Sequence, residues 1–324
     1  MSTLFVGVDT SNYTTSLSLI RDGKVEENVR RLLPVGENKR GLRQSDAVFF
    51  HTKALPELAK ELFSHPSYRK DELCAVGVSS RPRSAEGSYM PCFLAGVSFA
   101  SALSESHGVP LFSFSHQQGH IAAAIYSSVP AFPDAERFLS FHVSGGTTDI
   151  VLCEKTADGA FSCEKVGGTT DLNAGQAIDR TGVRLGISFP CGKALDELSQ
   201  RSSVSFVGKI PVSVNGLSCS LSGLENKTND LIEKNTPPED VASFLFEYLS
   251  RVLLRLTENL RECCGDLPIL FAGGVMANTR IRENLSKQKN IFFASPALSS
   301  DNACGVGLLA RERYERILRG LSLS

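Results

Sequence analysis

Residues 138–153 read FLSFHVSGGTTDIVLC, and this stretch is the basis of the predicted fold. Apolar side chains alternate through Phe141 and Val143, the Gly145-Gly146 pair interrupts them, and the β pattern then resumes. The pattern predicts a strand, a tight glycine turn and a second strand. Paired glycines let the backbone approach a ligand, and successive N–H groups in such a turn can bind an anion. We therefore interpret the stretch as a phosphate-type hairpin.

Two other segments follow a related plan. Residues 4–8 lead into the polar turn 9–12 and a second strand at 15–20, whereas the strand that reaches Gly273-Gly274 is expected to open a helix. Two such hairpins and a late strand-Gly-Gly-helix unit resemble the actin-like ATPase superfamily (the ASKHA, ribonuclease H-like class). The chain is thus predicted to be an α/β protein with a two-lobed actin-like fold and mixed sheets.

The predicted lobes are residues 1–134 and 135–324, with a C-terminal helix at about 302–320 that packs back on the first lobe. The chain of 324 residues is long enough for two buried cores, and no apolar run is long enough to span a bilayer. The N-terminus enters a strand at once, without a basic segment or cleavage site, so we expect a cytoplasmic protein with no membrane association.

Charge and cysteine usage exclude some classes of protein. The net charge of −1 does not indicate nucleic-acid binding by the chain as a whole, so a local basic patch or a partner would have to supply it. Nine cysteines, an odd number without a CxxC motif, suit reduced and mostly buried thiols. They argue against a disulfide framework and against a structural zinc site.

Local signals predict several elements. Ser45 is a candidate cap for a helix to about Phe63, with a kink or break expected at Pro56. A small-residue helix is expected at 93–107, ending at Gly108. The segment 202–222 is rich in serine and valine, which predicts an excursion of β structure there. A long amphipathic helix is expected from the Pro237-Pro238 pair to a stop at Gly265.

His116 and His120 are the clearest candidates for chemistry. Residues four apart share one face of a helix, so both imidazoles can reach one metal ion, although such pairs also occur by chance on solvated helices. Ser115 is a plausible N-cap, which places His116 in the first turn. Gln117 stands where the zinc proteases of the HExxH type carry their general-base Glu, which counts against that chemistry.

A third ligand has to come from elsewhere in the chain. Asp301 precedes the last helix and is either a ligand or a helix N-cap. His142 faces away from the core side of its strand, towards a cleft or towards solvent. Asp179 and Asp196 are acids near a possible nucleotide or ordinary surface charges, and Asn278 is either an adenosine contact or a surface residue.

Together these motifs resemble the universal tRNA threonylcarbamoyladenosine synthase family. The matches fall in order over nearly the whole chain: His116-Gln117-Gln118-Gly119-His120, Val143-Ser144-Gly145-Gly146-Thr147-Thr148, Gly175-Gln176-Ala177-Ile178-Asp179, Pro190-Cys191-Gly192, Ala272-Gly273-Gly274-Val275-Met276-Ala277-Asn278 and Asp301-Asn302-Ala303. The resemblance implies transfer of threonylcarbamoyl from its AMP anhydride to the exocyclic amine of the tRNA adenosine beside the anticodon. No side-chain nucleophile is implied.

The resemblance also implies the site residues and the partners. One iron or zinc ion would be held by His116, His120 and Asp301, with His142 as a further candidate. An adenine nucleotide, as threonylcarbamoyl-AMP or ATP, would be bound by these residues: His142, Val143, Ser144, Gly145, Gly146, Asp179, Gly192, Asp196 and Asn278. The implied partners are tRNA, a paralogous actin-like subunit and a small ATPase.

The chain departs from the family pattern at several positions. It has Arg81-Pro82-Arg83 for a Gly-Pro-Gly turn, Thr147 for a His, Cys191 for a Gly and Glu225 for a Lys. The hypothesis that the chain is a diverged paralog therefore stays open. Such a protein would be an ATP-dependent small-molecule kinase or carbamoyl transferase without an RNA substrate. The chain could also be a non-catalytic subunit of the modification complex. We expect Arg81 and Arg83 to be displayed, either as solvated loop residues or as contacts to an anion, which would be tRNA phosphates or another acceptor.

Overall fold

The computed structural model describes residues 2–34, 42–204, 206 and 210–320. Its strands are β1 Leu4–Thr10, β2 Thr14–Arg21, β3 Lys24–Leu32, β4 Leu73–Arg81, β5 Leu111–Ser115, β6 Arg137–Val143, β7 Thr148–Lys155, β8 Phe161–Thr169, β9 Val214–Asn215, β10 Ser218–Cys219, β11 Ile269–Ala272 and β12 Ile291–Phe293. Its α-helices are α1 Gln44–Phe63, α2 Phe93–His107, α3 His116–Tyr126, α4 Ala174–Arg184, α5 Gly192–Ser199, α6 Ser222–Glu233, α7 Pro238–Cys264, α8 Thr279–Leu285 and α9 Cys304–Leu318.

These elements form two compact units. Unit 1 comprises Met1–Ser127, Glu154–Cys163 and Leu298–Ser324, and unit 2 comprises Ser128–Cys153 and Glu164–Ala297. The assignment of 1–134 and 135–324 to two actin-like lobes stays a prediction. None of the helices in the described part of the chain combines the length and apolarity needed to cross a bilayer.

The sheet of unit 1 has five strands in the order β3-β2-β1-β4-β5. The first three strands pair antiparallel, whereas β4 pairs parallel with both β1 and β5. Since parallel strands end at the same edge of a sheet, the carboxyl ends of β1, β4 and β5 lie together. This edge carries Asp9 near the end of β1, Arg81 at the end of β4 and Ser115 at the end of β5.

Glycines let helix α9 lie directly on this sheet. A Cβ atom at Gly7 on β1 would clash with the carbonyl oxygen of Ala303, and one at Gly77 on β4 would clash with that of Val306. Both carbonyls belong to the first turns of α9 or its N-cap. The backbone of α9 therefore contacts the sheet without intervening side chains, which brings the residues just before α9 close to the sheet edge.

Helix α1 differs from the prediction at two points. It begins at Gln44 with Arg43 as the N-cap residue, so Ser45 does not cap it, and it continues through Pro56 without a break. Pro56 lies on the exposed face, while buried side chains on both sides of it, among them Leu55 and Leu58, hold the helix on the core. Burial of the stripe offsets the hydrogen bond that proline removes.

Unit 2 contains most of the second sheet, whose order is β12-β11-β6-β7-β8-β10-β9. Strand β11 pairs parallel with β6 and β12, and β10 pairs antiparallel with β9, so both sheets are mixed as predicted. The core is built on α7, which begins and ends as predicted and buries its leucine stripe. The Phe141 and Phe271 rings stack in this core with centroids 4.5 Å apart.

The predicted helix at 93–107 is confirmed, with Gly108 in the left-handed conformation after it. The predicted β excursion at 202–222 is largely wrong for the residues that the structure describes there. Regular β structure is limited to the two-residue strands β9 and β10, which meet at a turn with Gly216 at a φ of 57°. Residues 205 and 207–209 lie outside the described part of the chain.

Candidate functional site

The first turn of α3 is held by its own sequence. The Ser115 hydroxyl accepts a hydrogen bond from the Gln118 N–H at 3.2 Å, and the Gln118 side chain accepts one from the Ser115 N–H at 2.8 Å. This capping box confirms the predicted role of Ser115 and satisfies two backbone donors at the helix start. It also orients His116, the first residue of the helix, at the sheet edge described above.

Three side chains of unit 1 converge at this edge. The Nε2 atoms of His116 and His120 are 2.9 Å apart, and the Oδ1 atom of Asp301 lies 3.5 Å from the first and 3.2 Å from the second. Two ligands bound at right angles about 2.1 Å from an ion are about 3.0 Å apart. The spacing of the three atoms therefore fits one transition-metal ion, and these residues form a group that could hold one.

Asp9 orients the first of these ligands. Its Oδ1 atom lies 2.8 Å from Nδ1 of His116, so the carboxylate accepts a hydrogen bond from Nδ1–H and leaves Nε2 as the ring atom that faces the other two ligands. The Asp9 side chain is fully buried. Sequence reasoning did not assign this role to Asp9, although its place where the first strand runs into a polar turn was a usable signal.

Asp301 is held by a residue that sequence reasoning also missed. The hydroxyl of Ser11 donates to Oδ2 of Asp301 at 3.0 Å, which leaves Oδ1 directed at the two histidines. The alternative reading of Asp301 as a helix N-cap is wrong, because the N-cap residue of α9 is Ala303. Asp301 thus lies just outside the helix.

The electrostatics of this cluster favour a cation. Burial lowers the pKa of His116, but the carboxylates of Asp9 and Asp301 more than offset this and raise it to about 10. Burial raises the pKa of Asp301, but the hydrogen bonds from His116 and His120 outweigh it and hold that pKa well below its usual range. A metal ion and a proton therefore compete for the same negative field.

Glycines also determine the contact between α3 and α9. A Cβ atom at Gly305 would overlap the carbonyl oxygen of Gly119, so the two helix backbones touch at this point. Gly119 is the glycine between the two histidines of the motif, and Gly305 follows Asp301 by four residues. This crossing brings the carboxylate from the end of the chain to the imidazoles.

A Gly305→Ala variant is expected to be less stable by about 2 kcal/mol or more, because the added methyl group has no space between the two backbones. The same variant should bind metal more weakly, since α9 must move away from α3. Urea unfolding and elemental analysis measure the two effects. The control is Gly223→Ala on α6, where a Cβ atom meets nothing within 4 Å. Unchanged stability and metal content in Gly305→Ala would contradict this account of the crossing.

In unit 2, the predicted phosphate turn is held against the start of α4. The Ser144 N–H donates to the Thr147 carbonyl at 2.7 Å, and the Gly175 N–H donates to the Ser144 carbonyl at 3.1 Å. A Cβ atom at Gly175 would be 2.6 Å from the Gly145 backbone, so Gly175 permits this contact. A Cβ atom at Gly145 would meet nothing within 4 Å.

The predicted nucleoside residues lie in two places in unit 2. The Asn278 amide donates to Oδ1 of Asp196 at 2.7 Å, while its own oxygen caps α8. Asp179 accepts a hydrogen bond from the Cys191 N–H at 2.9 Å, directly before Gly192. The structure thus joins Asp196 to Asn278 and brings Asp179 beside the start of α5.

His142 lies on β6 opposite Ala272 and is half-buried. It belongs to unit 2, whereas the cluster of three ligands belongs to unit 1. Val143, the next residue on β6, is fully buried. The assignment of His142 to the metal or to the nucleotide stays a prediction.

Known proteins match this chain over its whole length. The family model of tRNA N6-adenosine threonylcarbamoyltransferases matches residues 37–307. A Carboxydothermus hydrogenoformans protein with that name is 31% identical over 99% of this chain and 94% of its own length. This chain belongs to the tRNA N6-adenosine threonylcarbamoyltransferase family. The resemblance stated from the motifs is thereby confirmed.

Solved structures place this family member in the predicted fold class. A full-length HypF in its phosphate- and nucleotide-bound form is 14% identical, with a TM-score of 0.58 over 100% of this chain and 56% of HypF. A ROK family glucokinase from Streptomyces griseus is 13% identical, with a TM-score of 0.51 over 95% of this chain and 99% of the glucokinase. The predicted actin-like α/β fold with mixed sheets is confirmed.

Two departures from the family pattern are accommodated inside unit 2. Glu225, where the family has Lys, forms an ion pair with Arg180 of α4 at 3.0 Å. Cys191, where the family has Gly, is fully buried, and burial raises the pKa of its thiol. Glu225 therefore contacts α4, and Cys191 is part of the core of unit 2.

Proposed function

We propose that this chain transfers the threonylcarbamoyl group from threonylcarbamoyl-AMP to the exocyclic amine of the adenosine adjacent to the anticodon of tRNA. The observation that carries the proposal is the convergence of His116, His120 and Asp301 in a member of this transferase family. In the transfer, the amine nitrogen bonds to the carbamoyl carbon and loses one proton to solvent, the bond from that carbon to the phosphate oxygen breaks, and AMP leaves with the electron pair.

The cluster would hold one iron or zinc ion. Two imidazole nitrogens and one carboxylate oxygen suit either metal, and the spacing of the three atoms agrees. When bound, such an ion supplies Lewis-acid polarisation of the carbamoyl oxygen. Asp9 keeps the ring of His116 in the ligating tautomer, and Ser11 keeps Asp301 directed at the two imidazoles.

The nucleotide would lie against the turn that follows β6. His142, Val143, Ser144, Gly145 and Gly146 would line the phosphate and carbamoyl groups, where N–H groups of the turn stabilise the charge on the departing AMP. The open space beside Gly145 supports this assignment. The nucleoside would be held by Asp179 and Gly192 at the start of α5, and by Asp196 with its partner Asn278.

The proposal extends to partners and location. We assign tRNA as the acceptor, a paralogous actin-like subunit and a small ATPase as partner proteins, and the cytoplasm as the compartment. A non-catalytic subunit would not need the three-ligand cluster, which disfavours that reading. The second candidate is an ATP-dependent kinase or carbamoyl transferase without an RNA substrate, favoured by Thr147 in the phosphate turn, where bacterial members of the family have His.

Mass spectrometry of tRNA nucleosides tests the function. In a strain that depends on this gene alone for the modification, threonylcarbamoyladenosine should be present with the parent gene and absent with His120→Ala. A His65→Ala gene is the control, because His65 lies beside Glu27 and outside the cluster. Unmodified tRNA in a strain that makes the folded parent protein with its partners would reject tRNA as the acceptor and favour the second candidate.

A further inference from the structure

Arg81, Pro82 and Arg83, which we call the arginine loop, lie beside the proposed metal ligands. Arg81 is the last residue of β4 and pairs with Ser115, the last residue of the parallel strand β5. His116 follows Ser115 directly. The loop and the first turn of α3 therefore leave the same edge of the sheet side by side.

Three hydrogen bonds fix the backbone around the arginine loop. The Pro82 carbonyl accepts from the Gln117 N–H at 3.1 Å, and the hydroxyls of Ser84 and Ser115 are 3.1 Å apart. The Arg83 N–H donates to the Ser88 hydroxyl at 3.0 Å. In the first of these bonds, the Gln117 N–H at the start of α3 donates to the Pro82 carbonyl and is not available to an anion. An anion that approaches here is therefore contacted by the arginine side chains.

The two guanidinium groups differ from most arginines of this protein. Many arginines elsewhere pair with carboxylates, as in Arg21 with Glu72, Arg180 with Glu225 and Arg311 with Glu315. Within residues 2–34, 42–204, 206 and 210–320, neither Arg81 nor Arg83 has an ion pair with a carboxylate. Arg83 is exposed and Arg81 is half-buried. A fixed backbone thus presents two positive charges that no carboxylate in the described part of the chain neutralises.

We propose that Arg81 and Arg83 bind backbone phosphates of the tRNA anticodon loop, next to the adenosine that is modified. The inference rests on the proposed function, because it places the acceptor adenosine at His116, His120 and Asp301. Guanidinium groups suit phosphate oxygens, since they donate two parallel hydrogen bonds to one anion. The overall charge of −1 makes a local pair of this kind more important for RNA binding.

Salt-dependent binding of tRNA to the full-length chain tests the proposal. The Arg81→Ala, Arg83→Ala variant should flatten the slope of log K against log salt by about 1.4, which corresponds to two single-strand phosphate contacts. The flattening should be the same with an isolated anticodon stem-loop. An Arg81→Lys, Arg83→Lys variant keeps both charges and should retain the parent slope. The matched control is Arg255→Ala, Arg319→Ala, which removes two exposed arginines and should also leave the slope unchanged.

The outcomes separate this proposal from the proposed function. If the Arg81→Ala, Arg83→Ala variant has the same salt slope as the parent, or if the control variant shows the same flattening, the proposed phosphate contact is wrong. Either result leaves the transferase function intact. Flattening with whole tRNA but none with the stem-loop would overturn the placement beside the modified adenosine. No tRNA affinity in the parent, with its partner proteins present, would overturn both.

Discussion

The His116→Ala, His120→Ala double variant is expected to lose roughly ninety per cent or more of its bound transition metal, because only one of three ligands remains. The loss should occur without unfolding, since both side chains lie at the sheet edge and neither is part of the packed core of unit 1. Elemental analysis of purified parent and variant proteins measures the metal, and circular dichroism checks the fold.

The control for this variant removes two other histidines of the same unit. His65→Ala with His107→Ala leaves the cluster intact, because His65 lies near Glu27 and His107 bonds to Tyr68. This control should keep the metal content of the parent. Equal metal content in the control and in the cluster variant would reject the assignment of His116 and His120 as ligands.

The Gly145→Val variant is expected to bind ATP or AMP at least roughly tenfold more weakly than the parent, a difference of about 1.4 kcal/mol. A Cβ atom at Gly145 meets no protein atom within 4 Å, and Gly145 is not among the glycines with positive φ. The variant should therefore fold, and the added side chain should occupy the space that we assign to the phosphate. Titration calorimetry measures both affinities.

A second glycine provides the matched control for this measurement. Gly223 on α6 also has open space around a Cβ atom, so Gly223→Val introduces the same side chain without filling the proposed nucleotide site. It should bind nucleotide as the parent does. Nucleotide affinity that is unchanged in a folded Gly145→Val protein would remove the turn after β6 from the nucleotide site.

The fold class could be predicted from local patterns. Three local patterns each set the structure of their own segment: the alternating apolar residues at 138–143, the glycine turn that follows and the leucine stripe of α7. When one face of an element is buried, the spacing of its apolar residues matches the repeat of a strand or a helix. The predictions for α1 failed where tertiary packing outweighed a local signal. Buried leucines on both sides of Pro56 keep that helix continuous despite the proline.

The sequence by itself determined the actin-like fold, the family and the shared face of His116 and His120, since helical spacing alone brings residues four apart together. Only the tertiary structure decided how the remaining parts of the site meet. Asp9 reaches His116 because β1 ends at the same edge as β5, and Asp301 reaches both histidines because Gly305 lets α9 touch α3. Those contacts join residues more than a hundred positions apart, and the chain can bring them together only by packing backbone on backbone.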